Sequence, residues 1–69
     1  MQSSIETSVQ FAGSLHGGNS YAYQLVVKYK DDVYYSERLP REEVQAIRNN
    51  LSKATLDRFV DRGVLSTDY

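Results

Sequence analysis

The sequence predicts an α+β fold: a three-stranded antiparallel β-meander (about 4–15, 20–29 and 33–39) with one face covered by one or two C-terminal helices (about 40–50 and 53–62). Three observations carry this reading. Apolar residues alternate from Ile5 to Leu15 and again from Tyr21 to Tyr29, turn-forming residues separate the runs, and a helical period of about 3.6 residues sets in after the only proline, Pro40.

In the first strand Ile5, Thr7, Val9, Phe11, Gly13 and Leu15 share one side. In the second, Tyr21, Tyr23, Leu25, Val27 and Tyr29 do. Between them His16-Gly17-Gly18-Asn19-Ser20 supplies hairpin chemistry. A loop over 17–19 pairs Phe11 with Leu25, Val9 with Val27 and Gly13 with Tyr23. The stretch YKDDVYYSERLPREE, residues 29–43, resembles a metal or phosphate site at first sight. A three-residue loop, Lys30-Asp31-Asp32, explains it more simply. That loop pairs Tyr29 with Val33, Val27 with Tyr35 and Tyr23 with Leu39, so that all apolar faces agree. A calcium loop would need further oxygen ligands at alternating spacing, and none follow. The outer face then carries Gln24, Val26, Lys28, Tyr34, Ser36 and Arg38, with a Glu6–Lys30 pair at one end.

Pro40 followed by Glu42 and Glu43 reads as a helix start. The stripe Val44, Ile47, Leu51 points away from the stripe Leu56, Phe59, Val60, which favours a break near Asn50 with Ser52 as N-cap. One continuous helix is the alternative. Gly63 ends the second helix. Phe11, Leu25, Val27, Ile47 and Phe59 are the expected core, and Tyr21, Tyr23, Tyr29 and Tyr35 are expected to fill it with their hydroxyls reaching the rim.

The chain reads as one domain spanning residues 1–69. It contains no cysteine, which excludes thiolate metal sites and suits the cytoplasm. No apolar run approaches a membrane span, and the first residues lack signal-peptide character. His16, the single histidine, stands at a hairpin tip where nothing rigid orients it as a base or zinc ligand. The glycines fit no phosphate-binding pattern. No enzyme activity, metal or cofactor is expected.

Binding remains. Six tyrosines, two phenylalanines and a net charge of -1 favour a protein partner, for a regulator, an inhibitor or a small subunit of a complex such as phages and mobile elements encode. Self-association is compatible with this. The candidate contact residues are Lys28, Tyr34 and Arg38, then Lys30 and Arg41. The alternative is nucleic acid. A meander followed by a helix is similar in layout to the arm-site domains of phage-type integrases, which implies phosphate contacts from Lys28, Lys30, Arg38 and Arg41 beside Tyr34. The segment LDRFVDRGVLSTDY, residues 56–69, resembles the first half of the helical module SHOCT, which implies a second helix starting at Ser66 or Thr67. No function is carried over from that likeness.

Overall fold

The computed structural model describes residues 4–15 and 20–67. An antiparallel sheet is built from β1 (Glu6–Leu15), β2 (Ser20–Tyr29), β3 (Asp32–Ser36) and a two-residue β4 (Leu65–Ser66), in the order β1-β2-β3-β4. Two helices, α1 (Arg41–Asn49) and α2 (Lys53–Asp61), pack on one face. The expected α+β class, the meander and the two-helix break are all present. β4 is additional, since two residues are too few to leave a periodic signature.

The helix break follows from local chemistry. The Ser52 hydroxyl accepts from the Thr55 amide at 3.2 Å, and the Thr55 hydroxyl accepts from the Ser52 amide at 2.6 Å, a reciprocal capping box. Asn50 turns its side-chain amide back to donate to the Ala46 carbonyl. At the far end of α2, Gly63 takes φ +79°, the Val64 amide donates to the Phe59 carbonyl and the Gly63 amide to that of Val60. This is a Schellman ending, and it turns the chain into β4 rather than into the second helix that the SHOCT likeness implies.

Leu25, Val27, Val44, Leu56 and Leu65 form the buried core. Ile5, Val9, Tyr23, Tyr29, Tyr34, Leu39, Ile47, Leu51 and Phe59 pack around it. Arg48 of α1 donates to the Thr7 hydroxyl at 3.1 Å, tying that helix to the odd-numbered face of β1. Among the described residues no buried side-chain nitrogen or oxygen lacks a partner.

Two registers differ from expectation. Between β1 and β2 the pairs are Thr7 with Val27, Val9 with Leu25 and Phe11 with Tyr23, a shift of two residues that keeps odd beside odd. Glu6 accordingly faces Lys28, not Lys30. The pairing resumes at Ser14 with Tyr21, leaving Ala12 and Gly13 to oppose Ala22. Gly13 holds φ +94° in this bulge, a conformation that a side chain would strain. The expected loop over 17–19 lies outside the described residues.

Between β2 and β3 the loop is Lys30-Asp31, with Tyr29 paired to Asp32 and Val27 to Tyr34. Lys30 takes the left-handed φ of +57°, and its ammonium lies 5.3 Å over the Tyr29 ring. The shorter loop reverses the faces of β3, so Tyr34 joins the core side while Val33 and Tyr35 turn outward. The step is undone at Ser36. Its hydroxyl accepts from the Leu25 amide at 2.9 Å and donates to the Glu37 carbonyl at 2.9 Å. Beyond it Tyr23 and Leu39 exchange both backbone hydrogen bonds, the pairing expected from the sequence. A side-chain hydroxyl thus replaces a backbone partner and lets the strand change step without leaving an amide bare.

Candidate functional site: an aromatic ledge and an apolar cleft

Each strand of the β1–β2 hairpin has ten residues, about 34 Å of extended chain. A nine-residue helix reaches only about 13.5 Å. The hairpin therefore outruns its cover, and the molecule extends to 44 × 22 × 20 Å. On the uncovered stretch Phe11 is 62% exposed and Tyr21 64% exposed. The Phe11 ring stands edge-on to Tyr23 at 5.9 Å and tilted against Tyr21 at 5.7 Å. Phe11, expected in the core, is instead at the surface, because the two-residue register shift carries it past the helices toward the hairpin tip.

Tyr23 is bridged to Leu39, and Leu39 lines a depression of about 520 Å³ with Ala46 and Ile47 of α1, Phe59 of α2 and Val64. Glu37, Glu43 and Arg62 stand at its edge. An apolar floor with a few charges at the rim is the composition of a recognition surface.

The residues expected to form one contact surface are not brought together. Lys28 is exposed on the outer face opposite Val33, and Lys30 is exposed in the turn beyond it. Arg38 is exposed one residue from the Tyr23–Leu39 bridge, its Nη1 lying 3.8 Å from where a Cβ on Gly13 would stand. Arg41 opens α1, exposed to solvent. Tyr34 is on the opposite face from Lys28, half-buried against the core. Its phenol is held above the ordinary value of 10.0 by burial first, then by the charge and hydrogen bond of Asp32 and the charge of Asp57. Asp32 is thereby engaged with a tyrosine on its own strand, two residues away.

The ledge was missed because alternation alone places Phe11 with the core. Strand length was the available signal: ten residues of alternation cannot all lie under two nine-residue helices. No helix of the described residues is long and apolar enough to cross a membrane. The chain matches no protein-family model, no curated protein and no solved structure, so neither likeness noted from the sequence is carried further.

Proposed function

We propose that this chain is a small non-enzymatic protein–protein interaction module, acting as a regulator, inhibitor or small subunit of a larger complex in a reducing compartment such as the cytoplasm. The observation that carries the reading is the pair of exposed rings, Phe11 and Tyr21, clustered with Tyr23. Exposing two large aromatic groups side by side costs solvation, and a partner that covers them recovers it. Tyrosine and other aromatic anchors dominate binding energy when desolvated. An apolar side chain of the partner fills the cleft, while Glu37, Glu43 and Arg62 set orientation from the rim. A nucleic-acid partner is the weaker reading. Tyr34 faces away from Lys28, and the bases of the outer surface have no stacking ring among the residues proposed for it.

The test is recovery of bound protein by the tagged chain after nuclease treatment, comparing wild type with a Phe11→Ser/Tyr21→Ser variant. A stoichiometric partner retained by wild type and lost by the folded variant supports the reading. Recovery that vanishes with nuclease, or that the variant retains in full, refutes it.

A further inference from the structure

The long edge of the sheet makes a second kind of contact. β1 is an outer strand, and the stretch Thr7-Ser8-Val9-Gln10-Phe11 holds no charge and no proline, the usual guards of an edge. Which backbone groups it offers follows from β2. Tyr23 exchanges both its bonds with Leu39, and the Leu25 amide goes to Ser36, so the odd residues of β2 address β3. In an antiparallel ladder a residue's N–H and C=O point to one neighbour, and successive residues alternate. The even residues of β2 therefore address β1 through Glu6, Ser8 and Gln10. Thr7, Val9 and Phe11 present their N–H and C=O outward, where no described strand meets them.

We infer that this edge pairs with β1 of a second copy, antiparallel, about a two-fold axis through Val9. The register is self-complementary. Val9 meets Val9, Thr7 meets Phe11 of the other copy, and every outward group finds a partner, with no like charges opposed. The exposed Phe11 ring comes beside Thr7 of the second copy, whose hydroxyl holds the Arg48 guanidinium, a cation placed to cover an aromatic face. The opposite edge, β4, is two residues long and offers little for head-to-tail growth, so the assembly closes as a dimer. This goes beyond the interaction reading, since it rests on backbone groups at the edge and shares with that reading only the Phe11 ring.

The experiment uses the full chain alone. Sedimentation from roughly 1 µM to 1 mM, the range of modest interfaces, should show the mass rising from 7.9 kDa toward its double. Phe11→Pro removes one outward donor without an in-sheet bond and should weaken the dimer at least tenfold. N-methylation of Val9, made by chemical synthesis, should do the same while keeping every side chain. The chain has no cysteine of its own, so register can be read directly. Cα atoms of a hydrogen-bonded antiparallel pair stand about 5.5 Å apart, within disulfide reach. Val9→Cys should oxidise to a covalent dimer. Phe11→Cys should not, because its two copies are offset by four residues, about 14 Å along the strands. A chain that stays monomeric throughout, a dimer indifferent to both backbone changes, or equal cross-linking at positions 9 and 11 would overturn the inference.

Discussion

One face of the β1–β2 hairpin behaves in two ways along its length. At one end Val9, Leu25 and Val27 lie under or beside α1, with Leu25 and Val27 fully buried. A few residues on, Phe11 and Tyr21 carry the same odd-numbered alternation into solvent. The residue pattern is continuous across the boundary, and only the cover stops. Alternation thus reports which side of a strand is apolar, whereas burial depends on what lies above it. An apolar face continued past its cover is available for something other than folding.

The buried end is the more sensitive to substitution. Leu25→Ala should cost about 2–5 kcal/mol, a large share of the stability of so small a domain, and chemical denaturation should show it as a lowered midpoint with little change in slope. Ser36→Ala comes next. Its hydroxyl is the partner of a buried amide, so its loss should cost about 1–3 kcal/mol in the same assay. Faster exchange of the Leu25 amide would localise the effect. Lys30→Gly should act in the other direction, adding up to about 1 kcal/mol by relieving the left-handed φ, less whatever the Lys30–Tyr29 contact contributed. The smallest effect is expected from Tyr34. Its folded-state phenol titrates above the unfolded value, so its contribution is present below pH 10 and is lost as pH rises through the raised pKa. Tyr34→Phe should flatten the alkaline end of the stability profile while leaving neutral pH nearly unchanged.

Much of the fold was legible. The strand runs, the Ser52 cap, the Gly63 stop and the opposed helical stripes each have a local cause that the residues announce. The registers were legible only in part. Parity held between β1 and β2, but the Ala12–Gly13 bulge, which supplies one of the two residues of register shift, has no signature beyond one glycine. For β3, matching apolar faces favoured a three-residue loop. The chain instead uses two residues and corrects the step with the Ser36 hydroxyl, a tertiary device invisible in periodicity. That single miscount placed Tyr34 outside.

Phe11 and Tyr21 are surplus to folding, and equilibrium denaturation of the Phe11→Ser/Tyr21→Ser variant tests this most directly. Exposed side chains away from special features change stability by about 0.5 kcal/mol or less, and each of the two ring contacts, Phe11–Tyr21 and Phe11–Tyr23, contributes about 0.5–1.5 kcal/mol, least where the rings are solvated. The predicted loss is therefore below about 3 kcal/mol, with cooperativity intact. A loss of about 4 kcal/mol or more, the scale of a truncated core aromatic, would show that the rings belong to the core and that the ledge does not exist as a free surface.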